Sequence, residues 1–157
     1  MIESETVDFL EYVKSRDILD IQMEYVRCFE MAGSSYLYLT AFEYGDSRER
    51  GNALIEIKQM IEEKHFKIIG KETPDYIPIL LEFMSSLDPG EVPADIETRL
   101  HRYFSKTVDK VNSDMYRNIF ALLGRVLEES GHVREIIPGD VDTGELPFPM
   151  KYDGGEY

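Results

Sequence analysis

The sequence has a single cysteine, Cys28, among its 157 residues. A disulfide within the chain needs two cysteines, and so does the CxxC motif of many metal and redox sites, so both are excluded. No apolar run approaches the ~18 residues that cross a bilayer, and residues 1–5 lack the basic and apolar regions of a secretory signal. Because a lone thiol also suits a reducing compartment, we expect a cytoplasmic protein without membrane insertion.

Cationic side chains are also scarce. The chain has 17 Lys and Arg residues against 31 Asp and Glu, which gives a formal net charge of -14. A field of this sign repels phosphate backbones, so we expect no nucleic-acid partner, and it attracts basic ligands such as an Arg- or Lys-bearing peptide. An acidic surface is also common in proteins where it only maintains solubility. The net charge by itself therefore does not distinguish a protein that binds a basic peptide from one that is merely soluble.

Helical periodicity organises most of the chain. Apolar residues recur at helical spacing in successive segments, and no segment reads as one of a pair of strands. The sequence therefore predicts an all-α fold: one helical bundle domain of about six helices over residues 1–137, then an irregular, acidic tail over residues 138–157. The positions that carry this pattern are Val7, Leu10, Val13, Tyr25, Val26, Phe29, Ala53, Leu54, Ile57, Met60, Ile61, Ile77, Leu80, Leu81, Met84, Ile96, Leu100, Tyr103, Phe104, Tyr116, Ile119, Phe120, Leu123 and Leu127.

Residues 36–42 are almost entirely apolar or aromatic, and their period does not separate a helix from a strand. A lone strand would leave its backbone groups unpaired, so we predict a buried helix. Gly45 ends it, and Asp46 or Ser47 is predicted to cap the next helix. Between Pro74 and Pro78, Asp75 is predicted to cap the helix that follows.

Two further helix caps are predicted from local sequence. Asp17 or Asp20 is expected to cap the helix that holds Tyr25, and residues 112–114 form a cap cluster before Tyr116.

Patterns that signal enzymatic chemistry are weak. Glu129 and His132 have the Glu-x-x-His spacing of di-iron bundles, but no second copy exists and a glycine separates them. The glycines around Arg48 and Arg50 match neither a dinucleotide-binding nor a Walker A pattern, although a nucleotide could still meet these arginines at a helix N-terminus. These patterns therefore favour no metal or cofactor site, and they give no local support for enzymatic activity.

Aromatic and acidic residues cluster in residues 36–46. Tyr36, Tyr38, Phe42 and Tyr44 lie close in sequence to Glu43 and Asp46. Such a set suits a groove for a basic amphipathic helix, because rings take the apolar face and carboxylates take the cations. The alternative is that each ring packs inside the hydrophobic core and contacts no ligand.

Three motifs in combination resemble one family. They are Leu37-Tyr38-Leu39-Thr40, then Tyr44-Gly45-Asp46-Ser47-Arg48-Glu49-Arg50-Gly51, and the run from Glu72 to Phe83 that contains Pro74-Asp75-Tyr76-Ile77-Pro78. Together they resemble the NarJ proteins, assembly chaperones of respiratory nitrate reductase within the TorD/DmsD group, over residues 19–83. The resemblance implies an all-helical fold without catalysis. It also implies that the chain binds the N-terminal peptide of the apo catalytic subunit of a molybdenum oxidoreductase and holds it for cofactor insertion before membrane docking.

On this resemblance, seven residues form the expected peptide-binding site. Tyr38, Phe42 and Tyr44 would supply apolar contacts, Asp46 and Glu72 would bind basic side chains, and Asp75 with Tyr76 would shape the adjacent loop. Tyr76 stands where the family motif usually has His, so a role that needs an imidazole is not expected here.

Family members commonly begin with further helical sequence, so apolar surface is expected to be exposed here and a homodimer is a further expectation. A generic acidic helical interaction module without a redox-enzyme client is the alternative to the chaperone. An α-helical metal or nucleotide enzyme is a third.

Overall fold

A computed structural model describes residues 2–31 and 37–130 of the chain. In these ranges the fold is an all-α bundle, as predicted, with seven α-helices where about six were expected. The helices are α1 (Ile2–Ser15), α2 (Ile18–Tyr25), α3 (Leu39–Tyr44), α4 (Glu49–Glu63), α5 (Ile77–Ser85), α6 (Ala94–Thr107) and α7 (Asp114–Glu129).

The core is built around α6 and α7. Leu100 and Tyr103 of α6 are fully buried, and Phe120 of α7 packs against Tyr103 at 5.8 Å between ring centroids. Ser113 caps α7 by accepting a hydrogen bond from the backbone N–H of Tyr116, which confirms the predicted cap cluster. The buried residues that complete this core are Leu37, Leu39, Ile57, Ile61, Ile77, Leu80, Phe83, Ile96, Phe104, Val111 and Leu127.

The first two helices lie at the edge of the bundle. Asp17 caps α2 by accepting from the N–H of Leu19 at 2.8 Å, which confirms one of its two predicted caps. A π-helical turn, Val26–Glu30, continues α2 and buries Cys28. Helix α2 itself contains no buried residue, whereas Cys28 in this turn is buried.

Three local predictions were wrong. The predicted helix over residues 36–42 begins only at Leu39, because Tyr38 is extended and pairs with Tyr76; residue 36 lies outside the described ranges. Neither Asp46 nor Ser47 caps α4, whose cap position is Arg48. The cap position of α5 is Tyr76, and the side chain of Asp75 points elsewhere. For Tyr38 and Asp75 a contact distant in sequence outweighs the local preference.

The apolar stripe predicted for α4 is confirmed, since Ala53, Ile57 and Ile61 are buried along it. Gly45 ends α3 with a positive φ of 56°, a conformation that favours glycine. No helix within the described ranges is long and apolar enough to cross a bilayer. His132 and the tail predicted for residues 138–157 lie outside these ranges.

Candidate functional site

Two short extended segments meet at the centre of the candidate site. Tyr38 and Tyr76 form a single antiparallel β-bridge. The N–H of Leu39 donates to the carbonyl oxygen of Asp75 at 3.0 Å, and the N–H of Ile77 donates to that of Leu37 at 2.8 Å. Because Tyr38 and Tyr76 each directly precede a helix, the bridge brings the N-termini of α3 and α5 together.

Tyrosine side chains form a row across this bridge. The rings of Tyr38 and Tyr76 lie 5.2 Å apart between centroids. The hydroxyl of Tyr38 donates to a carboxylate oxygen of Glu72, and the hydroxyl of Tyr76 lies 3.2 Å from that of Tyr25. The row therefore links the loop before α5, the start of α3 and the end of α2.

Hydrogen bonding and burial favour the protonated phenols of Tyr38 and Tyr25. The hydrogen bond to Glu72 raises the pKa of Tyr38 to about 12, and burial and the Glu72 charge act in the same direction. Burial is the largest cause that raises the pKa of Tyr25, followed by its hydrogen bond with Tyr76. At neutral pH the hydroxyl of Tyr38 is thus a donor that orients the Glu72 carboxylate.

Replacement of Tyr38 by phenylalanine tests this bond. Below pH 10 we expect the variant to lose about 1 kcal/mol of unfolding free energy, the net value of a typical hydrogen bond. Because the folded state raises the pKa of Tyr38, wild-type stability falls as the pH rises from about 10 towards 12, and the deficit of the variant shrinks. Urea unfolding across this pH range measures the deficit, with Tyr44→Phe on α3 as a control. A deficit that stays constant as the pH rises above 10 would contradict the assignment.

Asp75 is completely buried beneath the tyrosine row. One carboxylate oxygen accepts from the N–H and the hydroxyl of Thr40, and the other accepts from the hydroxyl of Thr73. The carboxylate thus binds the first turn of α3, a helix 35 residues earlier in the chain, rather than capping α5. A group this buried cannot touch a ligand at the surface, so its role is to position the bridge.

Arg50 connects this buried network to the exposed Asp46. Its Nε donates to the hydroxyl of Thr40 at 3.4 Å, and one terminal nitrogen lies 4.0 Å from the Asp46 carboxylate. The Asp46 side chain is 76% exposed, so this ion pair is weak and leaves most of the carboxylate accessible.

The outer residues of α3 have different environments. Phe42 packs edge-on against Tyr103 at 5.2 Å and is half-buried, so much of its ring belongs to the core. Tyr44 is 40% exposed. Glu43 is not part of an open acidic rim, because it is buried and accepts hydrogen bonds from two guanidinium nitrogens of Arg99.

Four of the seven predicted residues therefore meet directly: Tyr38, Glu72, Asp75 and Tyr76. Asp46 joins them through Arg50, whereas Phe42 and Tyr44 extend along α3. Sequence reasoning missed Tyr25, Thr40, Thr73 and Arg99. Of these four, only Thr40 had a local signal: it is a polar residue within an otherwise apolar segment.

The exposed and half-buried groups of this site can accept cations and contact apolar surface. Glu72 and Asp46 present carboxylates, while Tyr38, Tyr44 and Tyr76 present ring edges and faces. No cluster of three or more His, Cys, Asp or Glu side chains suited to a metal ion occurs in residues 2–31 and 37–130.

A separate groove of about 810 Å³ lies between α1 and α7, and none of the seven predicted residues lines it. Its apolar lining residues are Phe9, Met115, Ile119, Leu122 and Leu123, and its carboxylates belong to Asp8, Glu24 and Asp114. We call it the α1/α7 groove.

Comparison of the sequence with known proteins finds related proteins of one family. NarJ of Bacillus subtilis, described as a probable nitrate reductase molybdenum cofactor assembly chaperone, is 32% identical over 121 residues, 76% of this chain and 65% of that protein. NarJ of Escherichia coli K12 is 30% identical over 83 residues, 53% of this chain and 35% of that protein. The nitrate reductase-like protein NarX of Mycobacterium tuberculosis H37Rv is 34% identical over 77 residues, 49% of this chain and 12% of that protein.

The chain thus spans less than two thirds of the length of each of these relatives. The names of the two NarJ relatives confirm the resemblance to NarJ-type chaperones found in the motifs. The family model described as "Nitrate reductase delta subunit" matches residues 2–118, most of the chain. This chain therefore belongs to the nitrate reductase delta subunit family.

Proposed function

We propose that the chain is a cytoplasmic, non-enzymatic chaperone for a molybdenum-containing oxidoreductase of the nitrate reductase type. In this proposal it binds the N-terminal peptide of the apo catalytic subunit and holds the subunit for cofactor insertion before membrane docking. The observation that carries the proposal is the family match over residues 2–118, together with relatives that are by name nitrate reductase molybdenum cofactor assembly chaperones.

The geometry of the candidate site supports peptide binding there. Glu72 and Asp46 would bind Arg or Lys side chains of the peptide, and Tyr38, Tyr76 and Tyr44 would contact its apolar side chains. Glu72 is already oriented by Tyr38, so little side-chain entropy remains to be lost when a cation binds. The net charge of -14 would also speed the encounter with a basic peptide.

Two of the seven residues take other roles in this proposal. Asp75 is completely buried and acts by holding the first turn of α3 beside the bridge. Phe42 contributes only the part of its ring that Tyr103 does not cover. The proposed contact surface therefore consists of Glu72, Asp46 and the three tyrosines.

A calorimetric titration tests the proposal. The ligand is a synthetic peptide of the first ~20 residues of a nitrate reductase catalytic subunit from the same organism, and the control is the same peptide with its Lys and Arg replaced by Gln. We expect saturable binding that weakens from about 0.05 M to about 0.5 M salt, because salt screens exposed ion pairs. Fluorescence anisotropy of a labelled peptide covers the case of a small enthalpy. If neither method detects binding at low salt, or if the Gln peptide binds equally well, the chain is better described as a generic acidic interaction module.

We also propose that the chain forms a homodimer and that residues 1–137 make up its chaperone domain. Exposed apolar side chains in the first two helices support self-association. Val7 and Leu10 of α1 are about half exposed, and Ile18 and Leu19 of α2 are nearly two-thirds exposed. Surface of this kind, when contiguous, is typical of contact regions.

A further inference from the structure

The first part of the loop between α4 and α5 is cationic, although the protein as a whole is acidic. Residues 64–71 contain Lys64, His65, Lys67 and Lys71 and no acidic residue, whereas the whole chain carries a net charge of -14. Lys64 forms an ion pair with Glu91 at 3.6 Å. Lys67 and Lys71 are exposed. We call residues 64–71 the Ile69 loop, after the residue at its tip.

Ile69 projects from an anchored loop. Its side chain is 93% exposed, the largest exposed fraction of any large hydrophobic residue in the described ranges. On its N-terminal side, Phe66 packs edge-on against Phe83 at 5.3 Å, and Ile68 packs against the core. The loop is thus held in place while its apolar tip and two lysines face outward.

The α1/α7 groove has complementary chemistry. Its lining is apolar at Phe9, Met115 and Ile119, and it carries the carboxylates of Asp8, Glu24 and Asp114. Arg16 and Arg125 also line it. Arg16 is drawn towards Tyr12, since a terminal nitrogen donates to the Tyr12 hydroxyl at 2.6 Å and the guanidinium lies 4.8 Å from the centre of that ring.

We propose that the Ile69 loop of one molecule docks in the α1/α7 groove of a second copy of the chain. Ile69 would contact the apolar lining, and the aliphatic stems of Lys67 and Lys71 would lie along it while their ammonium groups face the exposed carboxylate of Asp8. This inference rests on the homodimer in the proposed function and names the two surfaces that would form it.

A second copy fits better than other partners because one chain supplies both halves of the contact. An anionic lipid surface would attract the lysines, but it would be repelled by the acidic remainder of the chain and would leave the groove unexplained. A loop tip in a groove buries less than the ~1,600 Å² of a standard interface, so we expect weak association that depends on concentration.

Sedimentation equilibrium of the full chain at about 10 to 500 µM, at ~0.15 M salt to screen net repulsion, tests the proposal. The loop variant is Ile69→Asp, and the groove variant combines Asp8→Lys with Asn118→Arg, both exposed residues that line the groove. Ile55→Asp is the matched control, because Ile55 is an exposed isoleucine on α4 outside both surfaces. Circular dichroism verifies that each variant is folded.

We expect the average mass of the wild type and of Ile55→Asp to rise above 18.2 kDa with concentration, and each of the other two variants to remain near that value. An equimolar mixture of the loop variant and the groove variant should associate again, because one retains the groove and the other retains the loop.

The proposal is overturned if the wild type stays at the mass of one chain, if either variant associates like the wild type, or if the mixture does not associate. It is also overturned if the groove variant weakens binding of the client peptide but leaves the mass unchanged, since the groove would then belong to the client. Peptide binding with no self-association would leave the proposed chaperone function intact.

Discussion

Replacement of Asp75 by alanine is expected to lower the free energy of unfolding by about 4 kcal/mol. The carboxylate is fully buried and accepts three hydrogen bonds, two from Thr40 and one from Thr73. Its loss leaves the N–H and hydroxyl groups of Thr40 without their acceptor in a dry interior, and each unsatisfied group costs about 1–3 kcal/mol. For a chain of this length, the loss corresponds to a fall in Tm of roughly 8–16 °C.

Asp109→Ala is the matched control, because Asp109 is exposed and lies in the turn after α6. Thr40→Val provides a graded companion: it removes one hydroxyl donor and should cost less than the loss of Asp75. Thermal and urea unfolding measure all three. If Asp75→Ala unfolded at nearly the same temperature as Asp109→Ala, Asp75 would not hold α3 in the way the geometry implies.

Replacement of Glu43 by alanine is expected to cost about 3 kcal/mol. The carboxylate accepts from two nitrogens of Arg99, with Nε at 2.9 Å, and only 7% of the Glu43 side chain and 12% of the Arg99 side chain are exposed. Removal of one partner of a buried pair costs about 3–5 kcal/mol, because the other charge stays desolvated. Asp95 lies 3.5 Å from Arg99 and would still partly balance its charge, so we expect a loss at the low end of this range.

The surface pair Lys58 and Glu62 supplies the comparison for Glu43. Their charged groups lie 3.7 Å apart and both side chains are more than half exposed. Glu62→Ala should therefore cost less than about 1 kcal/mol. If Glu43→Ala and Glu62→Ala lost the same free energy of unfolding in urea, the ion pair between α3 and α6 would not contribute more to stability than a surface pair.

Helices could be predicted because their signals are local. The stripe on α4, the Asp17 cap of α2 and the Ser113 cap of α7 each depend on residues within about two turns, and each was confirmed. The bridge between Tyr38 and Tyr76 could not be read in this way. It consists of one residue on each side, too few to form an alternating pattern, so residues 37 and 38 were misread as part of the helix that begins at Leu39.

The role of Asp75 shows the same limit at the candidate site. Its place between two prolines predicts a cap for α5, but its carboxylate binds Thr40, 35 positions earlier. Glu43 likewise reads as part of an acidic rim until Arg99, 56 positions later, occupies it. The sequence showed which acidic and aromatic residues lie in this region. It did not show which of them are buried in internal hydrogen bonds or ion pairs and which are exposed, because that depends on the fold.

The claim that Asp46 and Glu72 bind a basic peptide is tested most directly by reversing both charges. The variant Asp46→Lys with Glu72→Lys is compared with Asp109→Lys and Glu128→Lys, which changes the net charge equally at exposed residues on elements that hold none of the proposed peptide contacts. In the peptide titration we expect the site variant to bind at least about tenfold more weakly, because like charges would then meet, while the control stays close to wild type. Equal affinities for the two variants, with both folded, would contradict the account.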